Sequence, residues 1–515
     1  MVTIDDMATF CRRKGFVFPS SELYGGLAGF FDYGPLGVEL KNNIKAAWWK
    51  YHVQDREDIV GIDGAIISHP NIWVASGHVG NFADILVECT KCHERYRADT
   101  LVEDVLKIRA DGLKEKELNT LITDNKIACQ KCKGKLGSAA AFNLMFSTHV
   151  GPTATDENIA YLRPETAQLI FTNFKNVVDT GRVKLPFGIA QIGKAFRNEI
   201  SPRNFLFRCR EFEQMEIEYF IHPDASNDCP YIDEVLDYEM LLWSAEDQRS
   251  QKPEEKMTMA DALKKKIVGT PWSAFWLAME HRWFVDLGVN PDHLRGRQHV
   301  KDELAHYALD TWDLEYNFPF GWKELQGLAN RKDFDLQQHM KHSKQQLTIY
   351  DEEKKQHIVP HVVCEPSQGV DRAFLVFMFD AYAFDETRGN VVLRLNPKLA
   401  PTKVGVFPLV NKLEDKAREV YAMVRDTFPT LYDRAGSIGR RYARADEIGV
   451  PYCVTIDFET IEKDKAVTIR DRDSTHQRRV PITHLRETLQ KLINNEVPFE
   501  KVGKPIAAKN SEGKK

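Results

Sequence analysis

The spacing of hydrophobic residues changes several times along the chain, and each change predicts a different element. Behind Pro35, a typical helix start, apolar residues recur near helical spacing at Val38, Ile44, Trp48 and Tyr51. Residues 142–220 read mostly as strands, with one helix after the sequence RPETAQ. Strands return over residues 299–394, and within them the run GVDRAFLVFMFDAYAF predicts an apolar helix.

Two stretches interrupt this pattern and are predicted to be insertions. Residues 84–140 carry two cysteine pairs around a polar, helix-prone segment, and residues 222–298 are charged and helix-prone. Prolines at 397, 401 and 408 then mark a linker. Alternating strands and helices over 397–500 predict a separate α/β domain, and the Lys-rich tail, 501–515, is predicted to be disordered.

Composition narrows the class of protein. The 515 residues carry a net charge of -5, so a nucleic-acid partner must be met by a local basic patch. No apolar run reaches the ~18 residues that span a bilayer, and the polar first residues lack the apolar region of a signal peptide. We therefore expect a cytoplasmic protein without a membrane partner. Nine cysteines in so long a chain argue against a disulfide scaffold.

One predicted hairpin, residues 196–220, carries unusual charge. Side chains alternate between the two faces of a strand, so Arg197 and Glu199 share a face of the first strand. The second strand places a polar set on one face: Arg208, Arg210, Phe212, Gln214, Glu216 and Glu218. Such a face suits a ligand with separated negative charge, a flat ring and a positive group, as ATP and an amino acid together provide. The alternative is a solvated sheet face with weak, exchangeable ion pairs.

The motifs favour the ligand-binding interpretation. FRNE followed by a loop and REFEQME resembles motif 2 of class II aminoacyl-tRNA synthetases, and EPSQGVDR resembles motif 3. Seven longer stretches, in the family's order, resemble the dimeric glycyl-tRNA synthetases: YGGLAGFFDYGPLGVELKNN, YLRPETAQ, IGKAFRNEISPRNF, REFEQMEIEYF, GWKELQGLANRKDFDL, EPSQGVDR and DRAGSIGRRYARADEIGVP. They cover nearly the whole chain outside the insertions and the tail.

The resemblance implies an α+β fold of the class II synthetase type. An antiparallel sheet flanked by helices would form a catalytic domain, residues 1–396, that bears a zinc-binding insertion and a helical insertion. Residues 397–500 would form a C-terminal α/β anticodon-binding domain. The enzyme would join glycine to ATP as an adenylate, release pyrophosphate, and transfer glycine to its tRNA, acting as a homodimer through the N-terminal helix and the strand ending near Pro70.

The resemblance also implies the nucleotide site. Arg197 and Arg372 would be catalytic, with Arg197 on the α-phosphate and Arg372, together with Arg208, on the outer phosphates. Phe212 would stack on adenine and Glu199 would contact the adenine side of ATP. The residues implied in ATP binding are Arg197, Asn198, Glu199, Phe207, Arg208, Phe212, Glu324, Leu325, Gly369 and Arg372. Because no protein nucleophile is required, positioning and charge stabilisation by Arg and Mg²⁺ would supply most of the catalysis.

The implied glycine pocket is acidic. Glu165, Glu216 and Glu365, with Ser367, would bind the ammonium group, whereas Arg97 and Arg331 would lie near the carboxylate or help to close the pocket. The full implied set is Arg97, Glu165, Phe212, Gln214, Glu216, Arg331, Glu365 and Ser367. Larger amino acids would be excluded by steric overlap beside the α-carbon.

Four cysteines form two CxxC pairs, Cys89 with Cys92 and Cys129 with Cys132. Four thiolates at this spacing suit a closed, structural zinc site, with the polar helical segment filling the long gap between the pairs. His93 could replace one cysteine as a zinc ligand, but with four cysteines present we expect it to lie outside the site. The alternative is two unrelated reduced pairs.

The C-terminal domain contains a basic and aromatic cluster of Arg440, Arg441, Tyr442 and Arg444, suited to phosphate contact and base stacking. A solvated helix face is the alternative for each arginine. Two rival functions remain at this point: a synthetase-like binding protein that has lost catalysis, and a ligase for another small amino acid such as alanine or serine.

Overall fold

The computed structural model describes residues 2–108, 110, 112–300 and 311–506. Its α-helices are α1 Ile4–Lys14, α2 Pro35–Trp49, α3 Pro70–Ala75, α4 His78–Asn81, α5 Ala98–Leu106, α6 Glu115–Asp124, α7 Ala167–Gly181, α8 Ala245–Arg249, α9 Met259–Lys264, α10 Pro271–Asp286, α11 Phe334–Ser343, α12 Val370–Ala381, α13 Glu414–Arg425, α14 Ile438–Glu447, α15 Phe458–Glu462 and α16 Leu485–Ile493. The helix predicted behind Pro35 is confirmed, with this proline in its first turn.

The strands are β1 Val17–Pro19, β2 Phe31–Tyr33, β3 Ile59–Ile62, β4 Ile67–Ser68, β5 Ala83–Glu88, β6 Arg95–Arg97, β7 Ala140–Asn143, β8 Phe146–His149, β9 Ile159–Leu162, β10 Phe187–Phe196, β11 Glu211–Ile221, β12 Glu239–Trp243, β13 Glu255–Thr258, β14 Leu294–Gln298, β15 Thr311–Phe318, β16 Gly321–Ala329, β17 Ile349–Asp351, β18 Gln356–Ile358, β19 His361–Gly369, β20 Tyr382–Asp385, β21 Asn390–Leu393, β22 Val404–Pro408, β23 Thr430–Tyr432, β24 Tyr452–Ile456, β25 Ala466–Asp471, β26 Gln477–Pro481 and β27 Lys504–Pro505.

A large, mostly antiparallel sheet forms the centre of the molecule. Within the described residues it has nine strands, in the order β13-β12-β14-β15-β16-β19-β11-β10-β3. Only the β10–β3 and β12–β14 pairs are parallel. The hairpin predicted from charge is the β10–β11 pair, in which Gly193 lies opposite Gln214 and Gln191 opposite Glu216. The hairpin therefore lies toward one end of the sheet, with only β3 beyond it.

The two faces of the sheet are covered differently. One face packs against α10 and α12, which contribute to a core that includes Met215, Ile217 and Tyr219 of β11. The opposite face packs only partly against α7, in a smaller core with Phe187 and Phe220. Because alternate residues of β11 point to opposite faces, Gln214, Glu216 and Glu218 face the side that α7 leaves partly uncovered.

The hairpin differs from its prediction at its open end. The second strand begins at Glu211, and Phe205–Phe207 form a 3-10 turn, so Arg208 and Arg210 precede the strand. Arg197 likewise follows the end of β10. The positions of these three guanidinium groups are therefore set by the conformation of the loop, and the predicted alternation along a strand does not apply to them.

The segment 222–298 contains helices, as predicted, but it also extends the main sheet by β12, β13 and β14. Charged residues obscure the hydrophobic pattern in β13 and β14, whose sequences are EKMT and LRGRQ. Arg295 of β14 is buried, donates to Glu315 at 2.7 Å and is paired with Glu254 at 3.1 Å. The long helix α10 is buried on nearly all sides, so this segment forms part of the core.

The segment 84–140 has its own small core and a sheet of order β6-β5-β7. Two helices, α5 and α6, lie between β6 and β7, where the sequence predicted helical filling. The segment contacts the hairpin loop, because Ser201 Oγ donates to the carbonyl of Arg95 at 3.2 Å. It is therefore a compact unit that lies beside the open end of the hairpin.

The C-terminal region forms a six-stranded sheet in the order β23-β22-β24-β25-β26-β27, with a separate core. Lys504–Pro505 is its edge strand and pairs with β26. The prediction of a disordered tail from residue 501 is therefore wrong for 501–506, because backbone pairing outweighs their polar composition. Residues 507–515 lie outside the described part. No helix among the described residues has the length and apolar character needed to cross a membrane.

Candidate active site

A cavity of about 570 Å³ opens over the polar face of β11, β16 and β19. Its walls bring together most of the residues predicted for nucleotide binding. Lining residues are Arg197, Glu199, Arg203, Asn204, Leu206, Phe207, Arg208, Cys209, Phe212, Gln214, Lys323, Glu324, Leu325, Gly327, Ser367, Gly369, Asp371 and Arg372. Asn198, also predicted for this site, is not among the lining residues; its backbone amide donates to Leu144 at 2.8 Å.

Arg197 is held in place by backbone and by aromatic rings. Its Nε donates to the carbonyl of Pro164 at 3.0 Å. Its guanidinium carbon lies 5.3 Å from the ring centre of Phe212 and 5.5 Å from that of Phe82. None of these partners is an anion, so the positive charge of Arg197 is available to a ligand in the cavity.

Arg208 and Glu199 lie against each other. Arg208 Nε donates to Glu199 Oε2 at 2.7 Å, and its Nη2 lies 3.6 Å from Asp84. Arg97, predicted for the glycine pocket, lies in this same cluster, with Nη1 3.0 Å from Asp84 and a two-point ion pair to Asp99. Arg97 therefore lies near Arg208 and outside the lining of the cavity, and its charge is matched by two carboxylates.

Arg372 emerges from the first turn of α12 and reaches back across the cavity wall. Its Nε donates to the carbonyl of Phe207 at 3.2 Å and its Nη1 to the carbonyl of Glu324 at 2.9 Å. The guanidinium also lies 4.5 Å from the ring centre of Phe207. Leu325 and Gly369 line the same wall, so these predicted residues are brought together.

The acidic residues cluster deeper in the sheet. Glu165 Oε2 lies 3.3 Å from His78, and its other oxygen accepts from Gln168 at 3.0 Å. Thr166 donates its hydroxyl proton to Glu216. Glu365 accepts from Arg331 Nη1 at 3.0 Å.

Arg331 is fully engaged at its position behind this cluster. Besides contacting Glu365, it makes a two-point ion pair with Asp335, at 2.7 and 2.9 Å. Its guanidinium therefore orients the carboxylate of Glu365. That arrangement favours the pocket-closing role over direct contact with a substrate carboxylate.

The carboxyl groups of the cluster differ in pKa. Burial alone raises the pKa of Glu165, but the ion pair with His78 and the nearby Arg331 outweigh it and hold that pKa well below its usual range. Burial, and then the charge of Glu165, raise the pKa of Glu216. Burial also raises the pKa of Glu365 to about 8, against the opposing effect of Arg331. An added cation would stabilise the ionised forms of Glu216 and Glu365.

Ser367 and Gln214 join the two parts of the site. Gln214 Nε2 donates to Ser367 Oγ at 3.2 Å, and both residues line the cavity. Phe212, two residues before Gln214, lines the same cavity. The guanidinium groups therefore lie on the cavity walls, and the buried carboxylates adjoin the cavity through Ser367, which lies opposite Glu216 in the sheet.

Comparison with known proteins agrees with this geometry. Residues 152–379 match the family described as the tRNA synthetase class II core domain (G, H, P, S and T), and residues 403–492 match the anticodon binding domain. The chain is 46% identical to the glycine–tRNA ligase of Caldanaerobacter subterraneus over 95% of this chain and 98% of the relative. The chain belongs to the glycine–tRNA ligase family. It is equally similar to the family members of Geobacillus thermodenitrificans, at 46% over 95% and 98%, and Clostridium tetani, at 46% over 96% and 99%.

The structure adds residues to the site that the sequence did not single out. Thr166 and Gln168 lie inside the family motif RPETAQ, and Asp335 lies inside RKDFDL, so the motifs held a usable signal. His78 comes from α4, far along the chain from any quoted motif. Only the fold brings it to Glu165.

The four cysteines of the two CxxC pairs lie close together, as the sequence predicted. The Sγ atoms of Cys89 and Cys132 lie 3.5 Å apart, and those of Cys92 and Cys129 lie 3.6 Å apart. A tetrahedral ion with bonds of ~2.3 Å to sulfur sets neighbouring sulfurs roughly 3.8 Å apart. Backbone amides of Lys91 and Gly134 donate to these sulfurs. The cluster is thus compatible with zinc, and the His93 side chain lies outside it, paired with Glu88 at 2.8 Å.

The C-terminal basic cluster is largely structural. Arg441 is buried and donates to the carbonyls of Pro408 and Leu409, whereas Arg444 is paired with Asp433. The hydroxyl of Tyr442 contacts Thr455 at 2.6 Å. Arg440 is exposed. Of the four, Arg440 has the geometry for contact with a nucleic acid.

Proposed function

We propose that the chain is a glycine–tRNA ligase that forms glycyl-adenylate from glycine and ATP and then transfers glycine to the 3′ end of its tRNA. The observation that carries this proposal is the division of charge in one site, with guanidinium groups on the walls of the cavity and buried carboxylates next to the lining residue Ser367. A triphosphate fits the first and an amino-acid ammonium fits the second. Relatives named glycine–tRNA ligase, 46% identical over nearly the full length, support the same assignment.

In the first step, a carboxylate oxygen of glycine attacks the α-phosphorus while the bond to pyrophosphate breaks. Arg197 is the group best placed to stabilise the charge that develops on the α-phosphate, because its own partners are neutral. Arg372 and Arg208 hold the outer phosphates, although Arg208 must exchange its bond to Glu199 for a phosphate oxygen. Mg²⁺ enters with ATP, and Phe212 stacks on the adenine.

The ammonium of glycine is bound by Glu165, Glu216 and Glu365. Ser367, fixed by Gln214, lies beside them. Two anchored ends hold the carboxylate oxygen close to the α-phosphorus, which lowers the entropic part of the barrier. Glu216 and Glu365 are anchored by Thr166 and Arg331, and in the proposed pocket such fixed side chains would exclude a substituent on the α-carbon. Discrimination against alanine and serine follows from that overlap.

The four-cysteine cluster would hold a structural Zn²⁺. None of its cysteines lines the cavity, so the ion would stabilise the 84–140 unit and not take part in the reaction. Through Asp84, this unit contacts Arg208. The metal would therefore support the nucleotide end of the site from behind.

The anticodon-binding region would receive the tRNA. A groove of about 910 Å³ in this region is lined by aromatic and cationic side chains, among them Tyr442, Phe458, Arg478 and Arg479. Aromatic rings and guanidinium planes suit unstacked bases. We propose this groove as the place where anticodon bases bind.

A homodimer in the cytoplasm, where tRNA is charged for translation, completes the proposal. Leu23 and Tyr24 are 88% and 89% exposed, and Ile67 of the edge strand β4 is 51% exposed. Apolar side chains of this size are typical of an interface. Light scattering should give twice the 59.1 kDa chain mass, and Tyr24→Glu should reduce it to the chain mass if this surface forms the dimer.

The function is tested by exchange of labelled pyrophosphate into ATP with each of the twenty amino acids. Exchange with glycine alone is the expected result. Exchange with alanine or serine at comparable rates would favour a sibling ligase. No exchange from folded protein with Mg²⁺ would favour the binding-protein alternative.

A further inference from the structure

Glu218 is a fourth glutamate in the inner cluster and has no role in the function described so far. It lies on β11 two residues beyond Glu216 and on the same face. One oxygen from each of Glu216, Glu218 and Glu365 lies within 4.8 Å of the others. The side chain is 0% exposed.

The surroundings of Glu218 do not suit a charged carboxylate. No donor among the described residues forms a hydrogen bond to either of its oxygens. An ionised carboxylate in such a place would be buried without compensation, next to two further carboxylates. A neutral carboxylic acid carries one proton that it can donate, and the oxygens of the other two glutamates are within the same small cluster.

The charged and titratable groups that face Glu218 come from each neighbouring element. Glu365 comes from β19, Glu216 from its own strand, and Arg331 and Asp335 from the end of β16 and from α11. Arg331 donates to Asp335 and Glu365, and its charge lowers the pKa of Glu218 by less than burial and Glu365 raise it. Burial, and then the charge of Glu365, raise the pKa of Glu218 well above its usual value, in agreement with the geometry.

We propose that Glu218 is a positioning residue that stays protonated and donates a hydrogen bond to Glu365, so that Glu365 presents its ionised carboxylate to the ammonium of glycine. This inference rests on the proposed function, because it concerns the same pocket. It divides the four glutamates by protonation: Glu165, Glu216 and Glu365 bind the cation as anions, whereas Glu218 serves as a neutral donor behind them.

Two variants separate a neutral donor from an anionic ligand. Glu218→Met keeps the length of the side chain but removes the donor, and Glu218→Gln keeps a donor, because its amide N–H replaces the acid O–H. We expect Glu218→Met to raise the KM for glycine in pyrophosphate exchange about tenfold, as expected for one lost hydrogen bond to a charged group. Glu218→Gln should recover most of that loss. The KM for ATP should stay within about twofold in both.

The pH dependence gives a second readout that a merely structural role would not move. Loss of a donor to Glu365 disfavours its ionised form, so Glu218→Met should shift the midpoint of the glycine KM profile to higher pH. If Glu218 were an anion, its removal would shift the midpoint to lower pH. Glu216→Gln is the matched comparison, because it removes an anionic ligand of the ammonium group. Its amide cannot replace that charge, so the KM for glycine should stay high in Glu216→Gln, unlike in Glu218→Gln.

The outcomes are distinguishable from failure of the proposed function. No glycine-dependent exchange by the unchanged protein would contradict that function itself. Exchange by the unchanged protein, with a Glu218→Gln loss as large as that of Glu216→Gln or with a midpoint that falls in Glu218→Met, would overturn only the role given to Glu218. A KM for glycine unchanged in Glu218→Met would overturn it as well.

Discussion

The two ends of the cavity hold opposite charge by opposite means. At the open end, backbone carbonyls orient the guanidinium groups of Arg197 and Arg372. Arg197 has no carboxylate partner among these contacts, whereas Arg372 Nη1 also lies 3.3 Å from the half-exposed Glu324 carboxylate. At the inner end, Glu216 and Glu365 are anchored by side-chain donors and are buried. Arginines at the open end are accessible to solvent, so a phosphate can replace water there. Glu216 and Glu365 are buried, so little water contacts them.

The difference explains how one cavity can tell two substrates apart. The neutral anchors of Arg197 leave its positive charge for a large anion, and burial makes a carboxylate cluster depend on a matching cation. Changes at one end should therefore alter the binding of one substrate more than the other.

Arg197→Ala should have the largest effect, because it removes the available charge nearest to the reacting phosphate. We expect kcat for pyrophosphate exchange to fall about 100- to 1,000-fold, as for loss of one transition-state donor. Steady-state kinetics with saturating ATP and glycine measure it. Arg249→Ala, at an exposed position on α8, is the control and should leave kcat unchanged. A change confined to KM would contradict a transition-state role.

Glu216→Gln should weaken glycine binding with little effect on ATP. Loss of one buried charge contact predicts a KM for glycine higher by roughly 30- to 100-fold, or about 2–3 kcal/mol. Initial rates over a range of each substrate separate the two constants. An equal rise in the KM for ATP would mean that the variant disturbs the whole sheet and not one end of the cavity.

The pH dependence should also separate the ends. The pKa of Glu365 is raised to about 8 by burial, so the free pocket holds a proton below that pH, and glycine must expel it. The KM for glycine should therefore rise about tenfold for each pH unit below this value. The KM for ATP, measured over the same range, should lack this slope. Glu365→Gln should abolish it, and a slope that persists in that variant would assign the proton elsewhere.

Disruption of the cysteine cluster should have the smallest effect on catalysis. Cys129→Ser loosens the unit that carries Asp84, and therefore one partner of Arg208. The KM for ATP should rise about three- to fivefold, equal to roughly 1 kcal/mol, with the KM for glycine unchanged. Treatment of the unchanged protein with a chelator, followed by addition of Zn²⁺, is the matched control. A larger effect on glycine would contradict the proposed connection.

The sequence predicted those parts of the site that lie within continuous motifs. Alternation along β11 placed Gln214, Glu216 and Glu218 on one face, and the structure agrees. Glu165 and Glu365 were assigned through the family resemblance, and the fold brings them to the same cluster. These predictions succeed because strand periodicity is local and needs no knowledge of what packs against it.

Other features depend on contacts that no local pattern records. The pairing of Arg97 with Asp84 is set by how the 84–140 unit folds, and the approach of His78 to Glu165 is set by the packing of α4. The sequence did not predict strand β14, because its arginines are typical of a solvent-exposed segment. Arg295 is nevertheless buried, since it is paired with Glu315. Tertiary context decides in each of these cases.

The division of the cavity is tested most directly by a crossed measurement of KM for both substrates in Glu165→Gln and Arg372→Lys. Glu165→Gln should raise the KM for glycine at least about tenfold and leave the KM for ATP within about twofold. Arg372→Lys, which loses the planar contacts to two carbonyls, should do the reverse. If both constants rise together in either variant, the two ends do not act as separate sites, and the account is contradicted.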